Sequence, residues 1–101
     1  MISDSDISTE TYGKVVLFEL SLRMHANNSK LLNEREDLIS VIEKLCDFKN
    51  LEVTERVQLH LGRKFLNMTK HNKNQFSTWT EGISAFERAF DILIKHRITI
   101  L

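Results

Sequence analysis

The chain contains no proline, three glycines and one cysteine in 101 residues. Sheets joined by tight turns depend on proline and glycine, so their scarcity favours helices joined by short polar loops. The single cysteine, Cys46, cannot form a disulfide within one chain, which is typical of a reducing compartment. No apolar run approaches the roughly 20 residues that a membrane-spanning helix needs. These absences predict an all-α, cytoplasmic protein without a membrane segment.

Neither sign of charge is in excess, because 14 basic and 14 acidic side chains give a formal net charge of zero. Free-standing nucleic-acid binders usually carry a basic excess, so the bulk charge argues against that role. The length and the 42% hydrophobic content suit one domain with one small core. We expect residues 10–101 to form a single helical domain after a disordered, acidic lead-in over residues 1–9.

The clearest helical pattern runs from Trp79 to Ile98. Its apolar residues recur in steps of three and four, at Trp79, Ile83, Phe86, Phe90 and Leu93. This spacing gives one apolar side over about four turns, and three aromatic rings on it need a large matching surface. Thr78 with Glu81 three residues later fits a capping box at its start. The pattern therefore predicts a fourth helix that other elements pack against.

Three further helices are expected, over residues 10–26, 30–48 and 52–70. A strand over residues 15–18 is the competing interpretation of the first, because β-branched residues favour strands. A helix is preferred, since Glu19 and Arg23 form a supportive pair four residues apart and no partner strand is evident. The second helix should begin between Ser29 and Asn33, where Asn33 and Glu36 fit a capping box. The expected fold is a compact bundle of about four helices.

The second helix is expected to bury an apolar face and to present an acidic outer face. The buried side chains would be Leu38, Ile42, Leu45 and Cys46, helped by Leu31, Val41 and Phe48. A polar loop over residues 69–77 should separate the third and fourth helices. The apolar tail from Ile98 to Leu101 should dock either on the core or on a partner.

The first helix is apolar almost all round. One side carries Val15, Phe18 and Leu22; the other carries Val16, Leu17, Leu20 and Met24; Lys14, Ser21 and His25 form the polar stripe. A helix of this kind is normally buried on all sides, and a domain of 101 residues cannot easily surround one of its own helices. The surplus predicts a protein partner, most simply a second copy in a homodimer, with an interface at Val15, Phe18 and Leu22.

The third helix carries two apolar stripes. The main one, predicted to be buried, consists of Val57, Leu61, Phe65 and Met68. The second consists of Leu59 and Leu66 with Gly62 between them, which suits a close contact between two helices. That contact is either internal to the bundle or a dimer seam, and both alternatives stay open. The dimer seam would add Leu59, Gly62 and Leu66 to the predicted interface.

Between Arg56 and Lys73 the chain has five basic residues, two histidines and no acid. Its candidate anion-binding residues are Arg56, His60, Arg63, Lys64, Lys70 and Lys73, called here the basic stripe. The stripe is either a solvated face, a surface for DNA, RNA or an acidic protein, or the partner of the acidic segments. No helix-turn-helix signature supports the nucleic-acid surface, and pairing with the acidic segments is favoured.

No pattern for catalysis, metal or cofactor binding is found in the sequence. The four histidines lack zinc-ligand spacings, and no nucleophile elbow, phosphate loop or dinucleotide fingerprint occurs. Asp47, next to Cys46, would raise rather than lower the pKa of the thiol. We therefore expect a small non-enzymatic regulator, inhibitor, adaptor or chaperone that acts by protein–protein interaction. The alternative is a DNA-binding transcriptional modulator that uses the basic stripe.

Overall fold

The computed structural model describes residues 9–32, 36–71 and 76–98. Within them the chain forms four helices and no strand: α1 Thr9–Asn28, α2 Leu38–Lys49, α3 Val53–His71 and α4 Trp79–Lys95. None of these helices combines the length and the apolar character needed to cross a membrane. The predicted all-α bundle is confirmed, and the strand alternative for residues 15–18 is wrong.

Several predicted features lie partly or wholly outside the described residues. They are residues 1–8 of the lead-in, Asn33 of the proposed capping box, Lys73 of the basic stripe, and residues 99–101 of the tail. Of the tail, Ile98 is described, and its side chain is buried in the core of the same chain.

Helices α3 and α4 run antiparallel, because Glu55 near the start of α3 contacts Lys95 at the end of α4, and Phe65 farther along α3 contacts Trp79 at the start of α4. Gln58 donates a hydrogen bond from Nε2 to the Ala85 carbonyl oxygen at 2.9 Å. Gly62 lies at a close crossing, where an added Cβ would be 2.5 Å from Cβ of Ala89 and 2.9 Å from Cζ of Phe18. Only a residue without a side chain allows α1, α3 and α4 to meet this closely.

A chain of aromatic contacts joins α1, α3 and α4 at this crossing. The Phe86 ring centroid lies 5.4 Å from that of Phe18, 5.1 Å from that of Phe65 and 6.2 Å from that of Phe90. Trp79 continues the cluster at 5.3 Å from Phe65. Such ring contacts add to the burial of apolar area. The predicted apolar side of the fourth helix is therefore the side that packs.

The caps show where the helix boundaries were predicted correctly and where they were not. The Thr78 hydroxyl oxygen accepts a hydrogen bond from the Glu81 N–H at 3.0 Å, which confirms the predicted cap of α4. The start predicted for the second helix is wrong, because α2 begins at Leu38 with Asp37 as its cap. The Asp37 carboxylate accepts a hydrogen bond from the Ser40 N–H at 2.8 Å. Lys30, with φ of 59°, follows the end of α1.

The face that α3 buries differs from the predicted one. Phe65 and Met68 are buried as expected, but Val57 is 54% exposed. The second stripe (Leu59, Gly62 and Leu66) is buried as well, as the alternative of a contact internal to the bundle predicts. Gly62 explains why this side of α3 is buried. Because it has no side chain, α3 can approach α1 and α4 most closely there. Two other burial predictions are also wrong: Phe48 is exposed, and Ser21 of the supposed polar stripe is buried.

Candidate functional site

Four large apolar side chains of α1 point away from the core. Tyr12 is 60% exposed, Val16 51%, Leu20 43% and Met24 42%. They follow one another in steps of four, which makes them neighbours along one side of a helix. We call this stripe the outer face of α1. It is the candidate functional site of the protein.

An open groove of about 540 Å³ runs along the outer face. Its apolar wall on α1 consists of Tyr12, Val15, Val16 and Leu20. Thr69 and Lys70, from the end of α3, line it as well. An elongated apolar groove beside a helix is the shape that an amphipathic helix of a partner fills.

The polar side chains of the groove are paired with one another. Glu19 accepts hydrogen bonds from Arg23 Nε, at 2.9 Å, and from Lys70 Nζ. Burial alone would raise the pKa of Glu19, but the hydrogen bonds and charges of Lys70 and Arg23 outweigh it and lower that pKa. Arg23 also donates from Nη1 to the Glu36 carbonyl oxygen at 2.8 Å. The groove therefore offers a partner mainly apolar contact.

Gly13 lies in the outer face and has no evident role within its own subunit. A Cβ added there would have no neighbouring atom within 4 Å. Glycine inside a helix is nevertheless unfavourable by about 1 kcal/mol relative to alanine. Gly13 is three residues from Val16 and seven from Leu20, so it opens a gap beside both side chains. A second helix could approach closely at this gap.

Of the residues predicted to form the partner interface, Val15 lies at the base of the groove and the other five lie away from it. All six are buried within a single subunit: Val15, Phe18, Leu22, Leu59, Gly62 and Leu66. They have little exposed surface, 5% for Val15 and 2% for Leu66, so the larger exposed apolar surface of α1 is its outer face. The physical reason is that Phe18 packs against Phe86 and beside Gly62, which turns its side of α1 inward.

The basic stripe of α3 is paired with acidic residues of α2 and α1. Arg56 donates from Nη1 to Glu43 at 2.8 Å and from Nη2 to Asp47 at 2.7 Å. His60 Nε2 is 2.7 Å from the second carboxylate oxygen of Glu43. The hydrogen bond with His60, and then that from Arg56, hold the pKa of Glu43 below its usual value. This is the pairing with acidic α2 that the sequence favours.

The other described members of the stripe complete this arrangement. Arg63 donates from Nε to Nδ1 of His60 at 3.2 Å, and Lys70 pairs with Glu19 of α1. Lys64 is exposed to solvent. Most of the described stripe therefore connects helices rather than presenting unpaired charge.

A buried carboxylate, Glu55, was not singled out in the sequence. Its Oε2 lies 2.9 Å from His96 Nε2 and accepts one hydrogen bond from Lys95 Nζ, at 3.0 Å. These contacts lower its pKa to about 2. Its Oε1 accepts a hydrogen bond from the Glu52 N–H at 3.2 Å, as in a capping box at the start of α3. The spacing of Glu52 and Glu55 was the sequence signal that could have predicted this cap. The contacts of Glu55 join the start of α3 to the end of α4.

Cys46 is fully buried in the core. Burial raises the pKa of its thiol to about 11, against the opposing charge of Arg56. The thiolate, which is the nucleophilic form, is therefore scarce at neutral pH. Among the described residues, no group of three or more histidines, cysteines or carboxylates is placed to hold a metal ion.

No protein-family model, curated protein or solved structure matches the chain.

Proposed function

We propose that this chain is a non-enzymatic, cytoplasmic interaction protein, a regulator, inhibitor, adaptor or chaperone. It binds an apolar helix of a protein partner on the outer face of α1. The observation that carries this proposal is the continuous stripe from Tyr12 to Met24, in which every member is more than two fifths exposed. Contiguous exposed apolar surface with a polar rim is typical of protein-binding sites.

The mode of binding is that of a helix lying in a groove. Tyr12, Val16 and Leu20 line the groove in steps of four, so a partner helix with apolar anchors at similar steps would interdigitate with them. The Glu19–Lys70 ion pair borders the site, where it can exclude water from the contact. Tyr12 also has a phenolic hydroxyl group, which can reach polar atoms at the rim.

The DNA-binding alternative has less support. Duplex binding depends on cations that are free to neutralise phosphates. Arg56 already lies between two carboxylates, and Lys70 pairs with Glu19. A duplex would have to break these contacts, and the formal net charge of zero gives no long-range attraction to it.

The proposal is tested by comparing Leu20→Lys with the matched control Val57→Lys. Both positions are exposed apolar residues inside helices, but Val57 lies on α3, away from the outer face. Each tagged protein is incubated with lysate of the native host, and captured proteins are identified by mass spectrometry. Partners should be retained by the wild type and by Val57→Lys and lost by Leu20→Lys, with helicity unchanged by circular dichroism. Equal capture by both variants would contradict the proposal.

A further inference from the structure

We propose that His60 and Arg63 form a pH-sensitive switch on the side of α3 that contacts α2. While His60 is neutral, it accepts a hydrogen bond from Arg63; when the ring takes up a proton, that hydrogen bond is lost and the guanidinium is released. The two contacts of the His60 ring together allow only one ring proton. Neither residue lines the groove beside α1, so the switch is independent of the proposed function.

Both nitrogens of the His60 ring have a partner, and the two partners make opposite demands. Nε2 lies 2.7 Å from a carboxylate oxygen of Glu43, and an ionised carboxylate can only accept a hydrogen bond. Nδ1 accepts a hydrogen bond from Arg63 Nε at 3.2 Å, and a guanidinium can only donate. His60 therefore carries its proton on Nε2 and has a free lone pair at Nδ1, which is one of the two neutral tautomers.

No other protonation state of His60 satisfies both contacts. In the second neutral tautomer, the Nε2 lone pair would face the Glu43 carboxylate and the Nδ1 proton would face the N–H of Arg63. In the protonated ring, Nε2 could still donate to Glu43, but Nδ1 would carry a proton as well and could not accept from Arg63. Protonation of His60 and its hydrogen bond with Arg63 are therefore mutually exclusive.

The charged groups that face His60 come from α2 and from α3 itself. Glu43 of α2 favours the protonated ring, whereas the positive charge of Arg63 opposes it. Arg56 also lies on α3 and shares Glu43 with His60, and its second partner is Asp47 of α2. The hydrogen bond with His60, and then that from Arg56, hold the pKa of Glu43 below its usual value. Glu43 therefore stays ionised at the pH at which histidines take up a proton.

Asp37, which caps the start of α2, is an acidic group to which the released Arg63 can turn. Its side chain is exposed. The hydrogen bonds from Ser40, and then the charge of Arg63, lower the pKa of Asp37, so this carboxylate already interacts with the guanidinium. In acid, Arg63 thus exchanges a ring nitrogen for a carboxylate, while protonated His60 keeps its contact with Glu43 as an ion pair. The contact between α2 and α3 is kept, and Arg63 changes partner.

The tautomer and the release are tested by nitrogen NMR of the full chain. The ring signals of His60 are those absent from the spectrum of His60→Gln, and at about pH 8 they should place the ring proton on Nε2. As the pH falls from about 8 to 5, the Nε–H signal of Arg63 should shift with the same midpoint as the His60 ring. A ring proton on Nδ1 at about pH 8, or an Arg63 signal that does not follow the protonation of His60, would overturn the switch.

Two matched variants separate the hydrogen bond of Arg63 from its charge. Arg63→Met removes both, so the midpoint of His60 protonation should rise by roughly 0.5–1 pH unit. Lys64→Met removes an equal charge from the next residue of α3, whose side chain is exposed, so the midpoint should rise much less. Circular dichroism checks that both variants remain helical. Equal rises in the two variants would show that Arg63 acts only through its charge, which contradicts the proposal.

Discussion

The backbones of α3 and α4 come so close at Gly62 and Ala89 that a Cβ on Gly62 would lie 2.5 Å from that of Ala89. Real Cβ atoms essentially never show such a separation, and neither Ala89 nor the α4 backbone has a flexible end that can move away. The stripe of α3 that includes Gly62 is therefore a seam inside one subunit. The position of this seam explains which sides of α1 and α3 face the core.

Gly62→Ala should destabilise the fold although alanine favours helices. Forcing one methyl group into a packed core typically costs about 1–3 kcal/mol, which exceeds the gain of about 1 kcal/mol from helix propensity. The matched control is Gly13→Ala, where the added methyl group meets no atom and should stabilise the dilute protein. Urea unfolding followed by circular dichroism measures both. Equal stabilisation of the two variants would contradict the close approach at Gly62.

Phe86→Ala should remove about 3–5 kcal/mol of unfolding free energy, since its buried ring contacts Phe18, Phe65 and Phe90. A domain of this size typically has about 5–15 kcal/mol in total, so this variant should lose a large share of its stability. Phe48→Ala is the control, because Phe48 is 55% exposed, and it should change stability by about 0.5 kcal/mol or less. Similar losses in the two variants would show that the aromatic cluster is not the core.

Glu55 should contribute stability that depends on acid pH. Its pKa is about 2 in the folded state, below the usual value near 4.5, so its stabilising effect is complete above pH 4.5 and is lost as pH falls towards 2. Glu55→Gln should lower stability at neutral pH by roughly 1–3 kcal/mol and flatten the pH dependence in that window. The control Glu87→Gln changes an exposed carboxylate of α4 and should leave the dependence intact. An unchanged pH profile for Glu55→Gln would refute the network with Lys95 and His96.

Arg56→Gln should affect helix packing rather than nucleic-acid binding. It removes the ion pairs with Glu43 and Asp47, both partly exposed, at a cost of about 1 kcal/mol or less. Fluorescence anisotropy with a labelled duplex at low salt should show no binding by the wild type. Binding that weakens steeply with salt and disappears in Arg63→Glu would instead revive the DNA-binding alternative.

Local sequence patterns predicted the helices better than they predicted the sides that pack. The spacing from Trp79 onward and the Thr78 cap were enough to predict α4 correctly, because its apolar and polar sides are clearly separated. In α1 both sides are apolar, so the spacing could not decide that Phe18 faces inward and Leu20 outward. That choice depends on Gly62 and Phe86, which are distant in sequence.

The start of α2 shows a different limit. Leu31 and Leu32 extend the apolar pattern upstream of α2, yet they pack against the core from an irregular segment. Asp37, whose carboxylate accepts from the Ser40 N–H, sets the true start. The capping residue Asp37 therefore predicts the start of α2 better than the apolar pattern that surrounds it.

Part of the candidate site could be predicted from the sequence and part could not. The apolar character of both sides of the first helix was predicted, with Val16, Leu17, Leu20 and Met24 on one of them. Three of these four are exposed, whereas Leu17 packs against the core. Tyr12 and Gly13 were missed, although Tyr12 continues the same steps of four. The predicted interface lies on the side with Val15, Phe18 and Leu22, which is buried. The sequence could not show this, because the exposure of a side chain depends on tertiary contacts.

The central claim, that a protein covers the outer face of α1, is tested most directly by the rate of Tyr12 nitration. Tyr12 is the only tyrosine of the chain, so mass spectrometry assigns the modification without ambiguity. In dilute purified protein its 60% exposed ring should react readily. In host lysate the rate should fall severalfold, and less so in Leu20→Lys. An equal rate under all these conditions would contradict the account.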